Sequence, residues 1–214
     1  MVVSVTVKLA ETDTPEDPDN PDNPDDPDNP DNPDPMENPF TDVSETDYFY
    51  DAVLWAVKEG VTNGTSETKF SPNDPCTRAQ VVTFLWRAFG SPANDSDDNP
   101  FTDIVADGYY FDAVVWAVNR GITKGTSATT FSPNASCTRA QVVTFLWRTA
   151  GEPAAEAGTE IVFTDIQTDT YYYEAVLWAV ANGVTNGANA TTFNPSGTCT
   201  RAQIVTFLYR ALGK

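Results

Sequence analysis

Three arginines at equivalent positions are the residues of this chain best suited to bind a ligand. Arg78, Arg139 and Arg201 each stand in the sequence Thr-Arg-Ala-Gln, in the first turn of a predicted helix. The helix dipole disfavours a cation there by about 0.3 to 1 kcal/mol, so three such violations indicate a compensating contact. The contact is either a carboxylate within the protein or an anionic ligand, held by the guanidinium together with the free N–H groups of the helix start. The internal candidates for that carboxylate are Asp42, Asp103 and Asp165.

The composition argues against catalysis, metal binding and nucleic-acid binding. The sequence contains no histidine, which removes the commonest general base and the commonest metal ligand. With 12 Lys and Arg against 31 Asp and Glu, the formal net charge of −19 repels phosphate backbones and anionic lipids. No apolar run approaches the roughly 18 residues that span a bilayer. We therefore expect a non-catalytic protein that requires no cofactor or metal, binds no nucleic acid and does not insert into a membrane.

The three cysteines occupy one equivalent position, directly before the Thr-Arg-Ala-Gln sequence. They show no C-x-x-C spacing, so a metal site or a redox motif is improbable. Each is interpreted as a small buried hydrophobic residue that does not form a disulfide. These residues are Cys76, Cys137 and Cys199.

A threefold internal repeat positions all of these residues. Its period, counted from Phe40, Phe101 and Phe163, is 61 and then 62 residues. Each copy predicts a first helix (about residues 48–59 in the first copy) that ends at a glycine, then a turn, a Phe-x-Pro segment and a second helix. The second helix begins with a capping box, Thr77 with Gln80 in the first copy, and is apolar nearly all round. Three such helices can only bury one another, so the sequence predicts an all-α fold around a central three-helix bundle.

The region before the repeats differs in composition. Residues 1–10 alternate valine with polar residues and are interpreted as the remnant of an upstream β domain. Residues 11–37 hold twelve acidic residues, no basic one and a recurring Pro-Asp-Asn motif, which predicts a disordered, extended linker. The predicted repeats are 38–94, 95–156 and 157–214.

At these residues the chain resembles the S-layer homology domain family. The shared features are F-x-D-[VI], an aromatic run before the A-V-x-W-A helix, paired glycines, F-x-P, and T-R-A-[EQ] at the start of the last helix. The resemblance covers residues 38 to 214 and implies a pseudo-threefold spindle. It also implies binding of secondary cell-wall polysaccharide, typically through pyruvylated N-acetylmannosamine, in grooves between repeats. The usual Glu of T-R-A-E is replaced by Gln80, Gln141 and Gln203.

The resemblance favours the ligand as the partner of the arginines, with the aspartates positioning them. We therefore expect Arg→Ala changes at all three positions to impair binding far more than folding. The glutamines and the turn glycines complete the expected binding site. The turn glycines are Gly64, Gly125 and Gly187.

Other repeated residues have structural interpretations. The tryptophans of the first helices are expected in the core. The second arginine set lies about half a helical turn away from the first and near the helix C-terminus, so it is expected to be structural. A tyrosine before each first helix is either groove wall or packing. These sets are Trp55, Trp116 and Trp178; Arg87, Arg148 and Arg210; and Tyr48, Tyr109 and Tyr171.

Together, these inferences predict an extracellular cell-wall anchor that tethers an upstream domain of the same polypeptide to a bacterial surface. The first alternative is the attachment foot of a self-assembling S-layer lattice protein. The second is binding of a peptidoglycan-linked polymer in a diderm envelope. A carbohydrate-active enzyme is the least favoured class, because the Asp residues of this chain recur with the repeat and do not form the one unique pair that a glycosidase needs.

Overall fold

The computed structural model describes residues 37–94, 96–155 and 158–213. Chain contacts divide the protein into two units, Met1–Glu37 and Asn38–Lys214. The expectations for the β remnant and for the linker up to residue 36 lie outside the described residues.

Six helices form the secondary structure of the described residues, which contain isolated bridges but no named strand. The all-α prediction is confirmed. Each repeat contributes two helices, a shorter one and a longer one. They are α1 (Tyr50–Lys58), α2 (Arg78–Ala88), α3 (Phe111–Asn119), α4 (Arg139–Thr149), α5 (Tyr173–Ala181) and α6 (Arg201–Leu212).

Local sequence signals set both ends of the helices. The Gln80 N–H donates to Thr77 Oγ1 (3.3 Å) and the Thr77 N–H donates to Gln80 Oε1 (2.9 Å), so the predicted capping box is confirmed, as it is in α4 and α6. Helix α1 ends at Lys58 and is terminated by Gly60, whose φ is 67° and whose N–H donates to the Val57 carbonyl. The Val61 N–H donates to the Ala56 carbonyl, which completes a Schellman motif.

The long helices pack against one another at the centre, and each also packs against the short helix of a different repeat. Helices α2, α4 and α6 contact one another. Each short helix packs on the long helix of the preceding repeat, α3 on α2 and α5 on α4, and α1 closes the circle on α6. This packing between helices of different repeats was not predicted from the sequence. It places residues of different repeats side by side. The spindle shape stays a prediction.

A closed ring of backbone hydrogen bonds joins the three repeats just before the long helices. The Cys76 N–H donates to the Cys199 carbonyl (3.0 Å), the Cys137 N–H to the Cys76 carbonyl (2.9 Å) and the Cys199 N–H to the Cys137 carbonyl (3.0 Å). All three side chains are fully buried free thiols. Burial raises the pKa of Cys76 and Cys199 to about 12 and raises that of Cys137 as well. The cysteines therefore occupy apolar positions at the centre of the fold.

The aromatic core also follows the repeat. The Phe70, Phe131 and Phe193 side chains of the Phe-x-Pro segments are completely buried. Trp116 and Trp178 are buried in the core, whereas Trp55 is partly buried and packs against it. The core interpretation of the first-helix tryptophans is thus supported by their burial.

Candidate functional site: grooves between the repeats

The first residue of each long helix is a buried arginine clamped between two phenylalanines. Arg78 is 2% exposed, and its guanidinium carbon lies 4.8 Å from the ring centre of Phe131 and 5.5 Å from that of Phe145. Its Nε donates to the Phe131 carbonyl at 2.8 Å. Burial lowers the pKa of the Arg78 guanidinium, but arginine stays protonated in proteins. Arg139 and Arg201 make the same contacts with the next repeat in the circle.

The Phe-x-Pro segment under each arginine is held from both sides. The Asp103 carboxylate accepts the N–H groups of Phe131 (2.8 Å) and Ser132 (2.7 Å), while Arg78 binds the Phe131 carbonyl. Asp42 and Asp165 hold their own segments in the same way. No ion pair joins an arginine of this set to an aspartate within the described residues. The aspartates therefore position the arginines through the backbone between them.

The Asp42 carboxylate is adapted to this role. Partial burial raises its pKa, but the N–H donors of Phe70 and Ser71 outweigh that effect, and the pKa is lowered below its ordinary value. The carboxylate therefore stays ionised to a lower pH than an ordinary aspartate, and keeps its hydrogen bonds to the segment there.

The prediction that free N–H groups at the helix start hold the ligand is wrong. The Arg78 N–H donates to the Ala135 carbonyl (2.9 Å) and the Ala79 N–H to the Pro133 carbonyl (3.0 Å), both in the next repeat. The third N–H, that of Gln80, is used by the capping box. Helices α4 and α6 repeat this pattern. The arginine side chain is the only cationic group that the helix start contributes.

Arginines of this set line two grooves between repeats. Groove A, of about 350 Å³, combines the α2 arginine of the first repeat with the turn and long helix of the second and a tyrosine of the third. Groove B, of about 410 Å³, is formed in the same way one repeat further on. Groove A is lined by Arg78, Thr123–Thr126, Gln141, Thr144, Phe145, Arg148 and Tyr171. Groove B includes Tyr48, Arg139, Thr185–Ala188, Gln203, Thr206, Phe207 and Arg210.

Of the corresponding residues, Thr62 and Phe84 contact Arg201, and we call this third position groove C. Nη2 of Arg201 donates to Thr62 Oγ1 at 3.3 Å, and its guanidinium lies 5.3 Å from the ring centre of Phe84. In contrast, Nη2 of Arg78 and Nη2 of Arg139 are buried and have no hydrogen-bond partner among the described residues. The arginines that line grooves A and B therefore each have an unpaired, buried donor. Such a donor is costly unless it has a partner.

The linings of grooves A and B contain no acidic residue among the described residues. In a chain with a net charge of −19, each groove nevertheless has two arginines in its wall. An anion is the ligand that this arrangement favours.

The second arginine of each groove was predicted to be structural only. Arg148 does have a structural contact, because its Nη1 donates to the Ile122 carbonyl at 3.2 Å. It also lines groove A, and Arg210 lines groove B. This second role was not predicted, because the two arginines of one helix lie about half a helical turn apart. The groove instead joins Arg78 of α2 to Arg148 of α4.

The turn glycine lies at the edge of each groove for a steric reason. Gly125 has a φ of 75°, and a Cβ there would lie 2.5 Å from the Phe101 ring and from the Thr130 carbonyl oxygen. Gly64 and Gly187 face equivalent contacts. No larger residue fits at the glycine position, and the groove edge is therefore bare backbone at that one residue.

The glutamines and the tyrosines also reach the grooves. Gln141 and Gln203 combine capping with groove lining, and Gln80 is their equivalent in the first repeat. Tyr171 lines groove A at 60% exposure and Tyr48 lines groove B at 65%. Of the two alternatives for the tyrosines, groove wall is therefore the one that holds for this pair.

Within the described residues, no cluster of three or more His, Cys, Asp or Glu side chains is placed to hold a metal ion. Across that same part of the chain, every helix is too short or too polar to cross a bilayer.

A family model for the S-layer homology domain matches residues 39–82, 100–143 and 162–205. These stretches cover more than half of the chain, and the chain belongs to this family. The resemblance seen in the repeat motifs is therefore confirmed, and the repeats form a cell-wall anchoring module.

Curated relatives agree with this assignment. The chain is 33% identical over 182 residues to the "Surface-layer 125 kDa protein" of Lysinibacillus sphaericus, which is 82% of this chain and 15% of that protein. It is 30% identical over 117 residues to a "Cell surface protein" of Thermoanaerobacter kivui, 53% of this chain and 15% of that protein. These similarities place the module at the cell surface, in association with the cell wall.

An endoglucanase of Bacillus sp. (strain KSM-635) is 36% identical over 104 residues, 49% of this chain but only 11% of the enzyme. The chain thus spans less than a sixth of each of these three relatives. A match to so small a part of an enzyme does not transfer its activity, and the shared part is the non-catalytic anchoring module.

Proposed function

We propose that the grooves bind an acidic secondary cell-wall polysaccharide through the carboxylate of a pyruvate ketal on N-acetylmannosamine. One observation carries the proposal: Arg78 and Arg139, each with a buried Nη2 that has no hydrogen-bond partner, line grooves that no acidic residue lines among the described residues. A carboxylate is the simplest partner, because a charge-assisted hydrogen bond to it is worth about 1.5 to 3 kcal/mol.

The rest of each groove suits a sugar. In groove A, Tyr171 offers an exposed aromatic face, and the exposed side chain of Thr126 lines the same groove. An aromatic ring packs against the apolar face of a sugar, and hydroxyls exchange hydrogen bonds with its polar edge. The bare backbone at Gly125 admits the ligand close to the turn.

The module tethers an upstream domain of the same polypeptide to the wall. Grooves on one rigid body bind the same polymer in parallel, so release requires that all contacts break together. Avidity of this kind exceeds the affinity of one groove without any new contact.

Sedimentation of the full chain with purified cell wall tests the proposal. Wall should retain the chain before, but not after, mild acid treatment that removes the pyruvate ketals. Arg148→Gln together with Arg210→Gln should weaken retention about tenfold or more, since each change removes one groove cation. Lys58→Gln, which removes an exposed cation outside the three grooves, is the matched control and should bind normally. Equal retention on ketal-free wall would contradict the proposal.

A second candidate function uses the same site. The relative from Lysinibacillus sphaericus is named a surface-layer protein, which favours a role as the attachment foot of a lattice protein. Both functions use the same grooves, and they differ in what the remainder of the polypeptide does. Self-assembly of the complete protein into ordered sheets, seen by electron microscopy, would separate them.

A further inference from the structure

The three repeats are not identical at the groove edge. The residue before the turn glycine is Lys124 in the second repeat, whereas the first and third repeats have Asn63 and Asn186. All three side chains are exposed, and Lys124 and Asn186 occupy matching places in the linings of grooves A and B. Groove A therefore has three cationic residues in its wall and groove B has two.

We infer that Lys124 is a specificity-determining residue that makes groove A the tightest of the three sites for the acidic glycan. The inference rests on the proposed function, because it concerns which groove the same ligand fills first. An added cation at the edge of a groove attracts a bound carboxylate over several ångströms, with an effect of about fivefold on affinity at low salt.

The two arginines of groove A are fixed, and Lys124 is not. Arg78 is held between two rings, and Arg148 is tied to the Ile122 carbonyl. A lysine on a four-carbon stem can instead follow the charge of whatever occupies the groove. Lys124 thus adds attraction without the cost of a further buried cation.

One nearby charge opposes this effect. Glu152 Oε1 lies 3.7 Å from Nε of Arg148, and its side chain is 54% exposed. It does not line groove A. Because the pair is long and the Glu152 side chain is more than half exposed, it offsets little of the charge inside the groove.

Nuclear magnetic resonance of the full chain can read the grooves separately. The backbone amide signals of Gly125, Gly187 and Gly64 report on grooves A, B and C in one spectrum. The probe is the methyl glycoside of N-acetylmannosamine that carries a 4,6-pyruvate ketal, and the same sugar without the ketal is the blank. We expect the Gly125 signal to move at about fivefold lower probe concentration than the Gly187 signal.

Exchange variants supply the matched controls. Lys124→Asn installs the residue that the other repeats already use, so the turn tolerates it, and the Gly125 midpoint should rise to that of Gly187. Asn186→Lys should lower the Gly187 midpoint by a similar factor. Both differences should disappear in roughly 0.5 M salt, where screening is strong.

The outcomes distinguish the two proposals. If all three glycines respond at one midpoint, or if Lys124→Asn leaves the Gly125 midpoint unchanged, the inference fails while the proposed function stands. If no glycine signal responds to the ketal, the proposed ligand is wrong and this inference falls with it.

Discussion

Each buried arginine at a helix start serves the fold and the groove at once. Arg78 donates from Nε to the Phe131 carbonyl, lines groove A, and has a buried Nη2 without a partner. The contact with the next repeat therefore offsets the unfavourable position on the helix dipole even without a ligand.

This double role argues against the expectation that the arginines matter far more for binding than for folding. Arg78→Ala leaves the Phe131 carbonyl without its donor and a void between two rings, so we expect a loss of about 2 to 4 kcal/mol in the free energy of unfolding. Arg78→Lys should lose less, because it keeps charge and most of the volume. Urea unfolding measures both. An Ala variant as stable as the wild type would show that the clamp contributes nothing.

The cysteine thiols predict a weakness at alkaline pH. Their raised pKa keeps them protonated in the folded protein, to about pH 12 for Cys76 and Cys199, whereas in the unfolded chain they lose their protons near their ordinary value of about 8.5. The stability they contribute is complete below that value and is lost as the pH rises towards 12. Cys76→Ala should lower stability at pH 7 but flatten its decline above pH 9. Parallel declines in variant and wild type would refute this.

At the scale of elements, the turn between each short helix and its Phe-x-Pro segment sets the groove edge. Two glycines in the second repeat allow the energetic cost of backbone strain to be distinguished from the cost of a steric clash. Gly121 has a φ of 71°, and a Cβ added there would meet no atom within 4 Å. Gly125 has a similar φ, but a Cβ added there would lie against the Phe101 ring.

We therefore expect Gly121→Ala to lower the free energy of unfolding by about 1 kcal/mol through strain alone. Gly125→Ala should cost at least twice as much, because the Phe101 ring or the backbone must move. It should also weaken binding at groove A, which Gly121→Ala leaves intact. Thermal unfolding and wall sedimentation measure the two effects, and equal costs would contradict the steric account.

The sequence allowed prediction of whatever depends on local contacts. The Thr77 and Gln80 box and the Gly60 helix end involve residues within a few positions of each other, so their pattern was sufficient. Arg78 and Arg148 line the same groove because the first repeat packs beside the second. Three nearly identical copies do not encode the order of packing in any local pattern. The roles of the second arginines and the use of the helix-start N–H groups were missed for this reason.

At the scale of the whole molecule, the first and last repeats are neighbours. Helix α1 packs on α6, and Nε of Arg201 donates to the Phe70 carbonyl at 2.7 Å, across 131 positions of sequence. No repeat in the 38–214 unit has a contact pattern that is complete without the other two.

Deletion of residues 157–214 should therefore damage the first repeat as much as the second. Phe70 loses its arginine, the Cys76 N–H loses its acceptor, and α1 loses its packing surface. We expect the remainder to lose cooperative unfolding in urea, followed by circular dichroism. A sharp single transition of the two-repeat chain would show that the repeats fold independently.

Deletion of residues 1–37 should have the opposite outcome. All the grooves lie within the 38–214 unit, and the acidic sequence of residues 11–37 has the wrong charge to bind an acidic glycan. Wall should sediment the shortened chain as well as the full one. A large loss of sedimentation would assign a binding role to the deleted segment.

The ring of cysteine backbone hydrogen bonds limits how many repeats one module can contain. Each repeat donates one bond and accepts one, and the third donates to the second while accepting from the first. Linear repeat arrays grow by addition and need special capping repeats at both ends. Here the circuit closes at three, so no end is left to cap and a fourth copy would find neither a free donor nor a free acceptor. A fourth repeat could enter this ring only if one of the three bonds were broken.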